Sequence, residues 1–381
     1  MRLTRRTLLS SAALLAAPAR ALADGAPAAP PVPGPCGVVL PLSGMAALQG
    51  SEVQRGIELA VAAVNQAGGV GGQAVSLAVA DAPAAAQAGA AVNGLITNAH
   101  AALVLGSASA ALSFPASAAA EIAGVPFIEL TAMADGICNR GFHFLLRTGP
   151  ASAMAAALVA RTLAANYAGR VIGLLYNTGA DGLAFAQALQ AALAAAKLPV
   201  QLAVGYPEDQ ADLFDEAGRL MRAKVEVLVH AAGPDGVLGL HIAAGLQGWR
   251  PGTLIGFGAG YGLRDTAAAL GAGFDGTFYV GAPFYAPSGP ASAVHDAYLT
   301  RYGVPPRSAD SLTAYVGTRL TLETLARQGG DAGKLLPALR ALSLPTGTLA
   351  NGFGASFDLR GQNTGAFVAL QQWRGGALIP V

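Results

Sequence analysis

Between residues 37 and 257 the chain alternates short apolar runs with longer stretches whose apolar residues return every three or four positions, and few architectures accept that alternation. The run at 37–40 comes first, followed by the turn residues Pro41, Ser43 and Gly44. Over 51–66, Val53, Ile57, Ala60, Val61 and Val64 then share one face of a predicted helix. That helix stops at Gly68 and Gly69, and 75–80 reads as the next strand, which completes a β-α-β unit. The same reading predicts further strands at 102–105, 125–130, 142–147, 171–176, 200–204, 225–230 and 253–257. Between them it predicts helices at 113–123, 151–166, 183–196, 212–223 and 236–247. Strands separated by helices form parallel sheets covered on both faces, with ligand crevices at the carboxyl ends of the strands. Two such sets in series predict an α/β protein of two doubly wound lobes.

A length of 381 residues agrees, because one ordinary core holds about 100 to 200. Hydrophobic residues reach 53%, but much of that is alanine; with 6% aromatic and 12% charged residues the chain reads as a soluble Ala/Gly-rich α/β protein, not a membrane bundle. A net charge of +1, with no basic stripe interleaved with aromatics, excludes an electrostatic case for nucleic acid.

Residues 1–23 read as an export signal, with Arg2, Arg5 and Arg6, an apolar run at 8–17, and Ala21-Leu22-Ala23 as the cleavage site. Arg5-Arg6 between Thr4 and Thr7 is similar to a twin-arginine signal; the alternative is a general secretory signal with two incidental arginines. Both routes place the mature chain in the periplasm. The apolar run is too short to span a bilayer, which takes about 20 residues. A proline-rich, extended lead-in occupies 24–36. Cys36 and Cys138 in an oxidising compartment are either a disulfide or two unpaired thiols, and Cys36 lies too far from the apolar run for a lipid-modified N-terminus.

Catalytic and cofactor signatures are not found. His100, His143, His230, His241 and His295 make no pair at metal-ligand spacing, and no G-x-S-x-G elbow or phosphate loop with a lysine occurs. Gly256, Gly258, Gly260 and Gly262 follow a strand, but the third glycine of a dinucleotide loop would fall on Tyr261 or Leu263. Neither a cofactor nor a metal nor an enzymatic activity is expected.

The residues Gly37-Val-Val-Leu-Pro41-Leu-Ser-Gly44, Gly50, Arg55-Gly56-Ile-Glu58-Leu-Ala60 and Asn65-Gln-Ala-Gly68-Gly-Val-Gly-Gly72 stand in a specific order. So do Ile122-Ala-Gly124-Val-Pro126-Phe-Ile128, Tyr279-Val-Gly-Ala-Pro283-Phe284 and Phe357-Asp358 with Gly361-Gln362. Over about 37–381 the chain resembles the periplasmic substrate-binding proteins of branched-chain amino-acid-type ABC transporters. The resemblance implies the type I periplasmic-binding fold, two lobes joined by a three-strand hinge. It divides the chain into a first lobe, 37–146 plus 284–341, and a second, 147–283 plus 342–381. It also implies a monomer that closes on a small-molecule ligand and is recognised by an inner-membrane ABC permease complex. A periplasmic ligand sensor on the same fold is the alternative function.

Amino-acid binders of that family hold the α-carboxylate on hydroxyls and backbone N–H groups of two first-lobe loops, and the ammonium on a second-lobe acid. Carried onto this chain, the first loop spans Ser107, Ser109 and Ala110, with Ala110 at the hydroxyl position. In the second loop Met133 takes the threonine position and Thr131 stands two residues earlier. From the second lobe, Asp181 falls near a contact tyrosine and Gly258 near the ammonium-binding acid. Three readings follow: loops displaced by a residue or two, a rebuilt set from Ser107, Ser109, Thr131 and Asp181, or a more apolar cleft lined by Met133, Tyr261, Phe284 and Tyr285. Glu129, at a strand end, is either a cleft acid or a group facing a structural partner.

Overall fold

The computed structural model describes residues 34–285 and 288–381; the expected export signal and most of the lead-in lie outside the described residues. The first set of elements is β1 (Cys36–Leu40), α1 (Ala47–Gln66), β2 (Leu77–Asp81), α2 (Ala85–Thr97), β3 (Leu103–Gly106), α3 (Ala110–Ala123), β4 (Phe127–Glu129) and β5 (Leu145–Arg147). The second runs α4 (Ser152–Asn166), β6 (Ile172–Asn177), α5 (Ala180–Ala195), β7 (Leu202–Tyr206), α6 (Phe214–Arg222), β8 (Val227–Ala231), α7 (Pro234–Leu246), β9 (Thr253–Phe257), α8 (Ala259–Gly262), α9 (Arg264–Leu270) and β10 (Phe278–Gly281). Then come α10 (Pro290–Tyr302), α11 (Asp310–Arg327), α12 (Leu335–Arg340), β11 (Ala369–Arg374) and β12 (Ala377–Pro380).

The strands make two sheets, a five-stranded one in the order β2-β1-β3-β4-β5 and a seven-stranded one in the order β12-β11-β10-β9-β8-β6-β7. The first is parallel throughout. The second is parallel from β7 to β10, and β11 and β12 add an antiparallel edge. Both are buried on their two faces, as near-continuous apolar strands such as β1 and β8 require. On one face of the first sheet, Val38, Leu40, Ile128 and Leu146 pack with α1, α11 and α12; on the other, Val39, Val104, Phe127 and Leu145 pack with α2 and α3. In the second sheet, Leu174, Val229 and Ile255 meet α4 and α5, while Leu175, Val204 and Leu228 meet α6 and α7.

Three connections cross between the sheets: after β5, after β10 and before β11. Two of them lie side by side, with the Arg147 N–H donating to Gly361 and the Asn363 N–H donating to Arg147. The buried side chain of Asn363 donates to the carbonyls of Thr148 and Gly354 and accepts from the N–H groups of Ser356 and Gly365. At the third crossing Gln371 accepts from the Phe284 N–H and donates to the Ala282 carbonyl.

The structure adds one element to the sequence reading, corrects one boundary and decides one open alternative. The helix α2 is missed by sequence reading because its alanines and glycines carry little periodicity. Residues 342–381 do not all join the second lobe: Leu344, Leu349, Ala355 and Phe357 pack with the first-lobe core, and the chain reaches the second-lobe core only around Val368 and Leu370. Cys36 and Cys138 are both free and buried, one in each of the two clusters that flank the first sheet, so no disulfide joins them. Burial pushes the Cys36 thiol up to about 12 and raises that of Cys138 as well.

Replacing Asn363 with alanine takes this partner from two buried carbonyls, those of Thr148 and Gly354, each loss costing about 1 to 3 kcal/mol. Urea unfolding of Asn363→Ala is therefore expected to show a loss of about 2 to 4 kcal/mol; a loss under about 0.5 kcal/mol would mean that the crossings do not depend on this side chain.

Candidate functional site

Parallel strands end in register on one edge of each sheet, and the loops at that edge face the other lobe. In the first sheet Val39, Gly106, Glu129 and Arg147 pair across one row, so Glu129 and Arg147 project from the same face beside each other. Glu129 is fully buried. Its Oε1 accepts from the N–H groups of Ser107 at 2.9 Å, Leu130 at 3.0 Å, Thr131 at 3.1 Å and Ala132 at 2.9 Å. The Leu130 N–H is shared with the Gly106 carbonyl. Its Oε2 accepts from the hydroxyls of Ser107 at 2.8 Å and Ser113 at 2.6 Å. A carboxylate taken out of water requires such a shell of donors. Glu129 thus faces a structural partner set built from the ends of β3 and β4 and the first turn of α3.

Arg147, equally buried, donates to Gln362 Oε1 at 2.6 Å and to the carbonyls of Ala132 and Ala134 at 3.2 and 2.8 Å. Through Ala132 it holds the loop whose N–H groups surround Glu129. The sequence marks Arg147 only as the last residue of the strand predicted at 142–147; the available signal is that Glu129 and Arg147 each close a short apolar strand.

The second lobe meets this edge through Asp181 in the first turn of α5. Its Oδ2 accepts from the Ala110 N–H at 2.8 Å, the start of α3 in the first lobe. Ala180 and Ala184 pack on the first-lobe cluster, and Met133 packs the other way, against the second-lobe core. A second contact joins Arg307 to Asp265 at 2.9 Å, with the Arg264 N–H donating to the Arg307 carbonyl.

The ten residues expected to line the site divide. Ser107, Ser109, Ala110, Thr131, Met133 and Asp181 come together where the lobes meet. Of these, Ser107 is engaged with Glu129, and Ser109 caps α3 by accepting from the Leu112 N–H. Only the Thr131 hydroxyl, on a residue 8% exposed, is without a partner. Gly258 has φ +95°, and a Cβ there would lie 2.8 Å from the Ala232 carbonyl oxygen, so no side chain fits and it contributes backbone alone. Tyr261 is not a cleft residue: it is fully buried against Phe274 and Trp373, and its hydroxyl bonds His230 Nδ1 at 2.7 Å. The other ring nitrogen, Nε2, bonds the Tyr206 hydroxyl at 2.8 Å. Burial holds His230 down to about 3, so the ring is neutral, and this chain of groups fastens β7, β8 and α8 together. Tyr285 bonds Ser311 in the core between α1, α10 and α11, and Phe284 packs edge-to-face against it at the third crossing. Both serve the first lobe's packing and the hinge. An apolar cleft built from these three aromatics is not what the chain forms.

The periplasmic binding protein family profile matches residues 35–377. A Leu/Ile/Val-binding protein homologue of Brucella abortus is 34% identical over 360 residues, covering 91% of this chain and 89% of that protein. A leucine-binding protein from Thermotoga maritima superposes with a TM-score of 0.82 at 18% identity, over 91% of this chain and 97% of that one. An ABC-transporter solute-binding protein from R. palustris, solved with benzoate, superposes with a TM-score of 0.79 at 20% identity, over 91% and 94% of the two chains.

Burial raises the Asp181 carboxyl to about 7; the Ala110 N–H opposes the shift, Glu129 and Glu208 add to it, and Arg147 opposes it. An unfolded aspartate titrates near about 3.9, so between about pH 4 and pH 7 the folded chain keeps a proton that the unfolded chain has lost. The contribution is full below about pH 4 and fades as pH rises through about 7, with a slope of up to about 1.4 kcal/mol per pH unit. Asp310, raised to about 6 by burial, acts in the same direction, so the difference between variant and wild type is the readout. Asp181→Asn is expected to flatten the pH dependence of urea stability over this window by about one proton; parallel profiles would place the Asp181 titration elsewhere.

Proposed function

The chain belongs to the periplasmic binding protein family, as a substrate-binding protein of the branched-chain amino-acid ABC-transporter type, and we propose that it closes on a solute lacking a free α-amino-acid group. The observation that carries this reading is the meeting of two parallel-sheet edges, with Asp181 of one lobe on the Ala110 N–H of the other. A solute held between such edges favours the closed form only by its better contacts there, and closure is what a membrane partner can recognise. The protein works in the periplasm as a monomer, delivering its solute to an inner-membrane ABC permease complex, and its work is binding, not catalysis.

Against a standard amino acid stand three positions. Ala110 and Met133 offer no hydroxyl, and Gly258 has no room for an acid. A zwitterion between the lobes needs both charges paired, and each missing charge-assisted hydrogen bond costs about 1.5 to 3 kcal/mol, tenfold or more in affinity. The benzoate complex of the R. palustris protein supports a fold that accepts solutes outside the amino acids.

Calorimetry on ligand-stripped protein is expected to show binding of leucine, isoleucine and valine at millimolar strength or weaker. Micromolar binding of any of the three would sink the reading. For a solute found by thermal-shift screening, small-angle scattering is expected to show a fall in radius of gyration with no change in mass; tight binding without compaction would indicate a static module.

Export is tested separately. Replacing Arg5 and Arg6 together by lysine is expected to hold the precursor in the cytoplasm, whereas normal export of that variant would assign the general secretory route.

A further inference from the structure

We propose that Glu129 is the specificity-determining residue of the interlobe site: its carboxylate fills the first lobe's own anion cradle, so the solute brings no carboxylate there. The inference rests on the interlobe site being where the solute binds. It is carried by the hydrogen bonds of the cradle itself. Four N–H groups and two hydroxyls, drawn from the β3–α3 turn and the loop after β4, converge on one pair of carboxylate oxygens. Converging backbone N–H groups of this kind form an anion-binding nest. Here the anion is covalently attached to the chain at 129. At the start of α3, three residues beyond Ser107, the Ala110 N–H is engaged by a second internal carboxylate, Asp181.

An incoming carboxylate meets two obstacles. It must turn a fully buried glutamate away from six donors, which leaves that charge unpaired in the interior. It also approaches Asp181 and Glu208, whose carboxyls are raised above the usual carboxylate range by burial, so any charge they carry is already unfavourable there. In the guanidinium of Arg147, Nε donates to Gln362 and Nη1 to Ala132 and Ala134, so two of its three nitrogens are already committed to the hinge and the loop after β4. The edge also holds the unpartnered hydroxyl of Thr131, a buried oxygen on a residue 8% exposed, which serves an amide, an alcohol or another neutral polar group. The solute class that fits is therefore neutral or cationic at the end that enters the first lobe.

The test removes the internal anion and returns it as a free molecule. Glu129→Ala in the mature chain deletes a CH2–COO⁻ unit, which acetate matches in size and charge. Thermal unfolding with increasing acetate is expected to raise the variant's midpoint in a saturable way, with wild type unmoved and acetamide without effect on either. If the variant does not fold by itself, recovery of folded protein on refolding in acetate is the same readout. An acetate response equal in variant and wild type, or none in the variant, overturns the proposal. Selectivity is read on wild type with benzamide and benzoate, where benzamide is expected to bind at least tenfold more tightly; tighter binding of benzoate also overturns it. If wild type binds neither, the interlobe reading has failed for these solutes, and the acetate response alone decides whether Glu129 occupies the cradle.

Discussion

A charge held inside a protein must be met by donors, and in this chain the donors that meet Glu129 also shape the edge of the first lobe. Because the carboxylate requires the N–H groups of Ser107, Thr131 and Ala132 together, the turn after β3 and the loop after β4 cannot move independently. Ser113 brings the first turn of α3 into the same unit. One strand away in the same row, Arg147 grips the far side of the second loop through Ala132 and Ala134 and reaches across to Gln362, a residue of another crossing segment. The site edge and the hinge are thereby adjacent parts of one polar network.

The opposite lobe is fixed by a different device. Tyr206, His230 and Tyr261 line up their polar atoms inside an apolar cluster, and burial keeps the imidazole neutral so that one ring nitrogen donates and the other accepts. That chain joins the ends of β7 and β8 to α8, the elements that carry the facing loops. Between the lobes, two of the contacts are charged. The Arg307–Asp265 pair is partly exposed, and such pairs contribute about 0 to 1 kcal/mol. The Asp181 contact is more buried, but burial raises its carboxyl. Weak direct contacts between rigid edges are what a closing protein requires, since the solute's contacts can then decide the equilibrium.

The residues expected to bind by resemblance and those the geometry emphasises differ in an instructive way. Tyr261, Phe284 and Tyr285 are aromatic, and an aromatic near a strand end reads equally well as a cleft wall or as core. The choice depends on the neighbours, and Phe274, Trp373 and Ser311 come from distant parts of the sequence. Glu129 has the same ambiguity in reverse, as an acid that looks available until the six groups around it are counted.

By itself the sequence determined the two-lobed parallel architecture, since apolar runs separated by helix-period stretches can bury both faces of a sheet in few other ways. It placed the strand ends at Gly106, Glu129, Arg147 and Phe257 to within about a residue, and with them the edges where a solute would sit. Tertiary structure alone decided the unpaired state of Cys36 and Cys138, because the two clusters they enter lie on opposite faces of one sheet. It also decided that 344–357 returns to the first lobe, since Leu344, Ala355 and Phe357 are apolar enough for either core and only the packing partners differ. Whether Glu129 faces solute or backbone is likewise a tertiary matter: its donors lie up to 22 positions away in the chain, and no local pattern records that they converge.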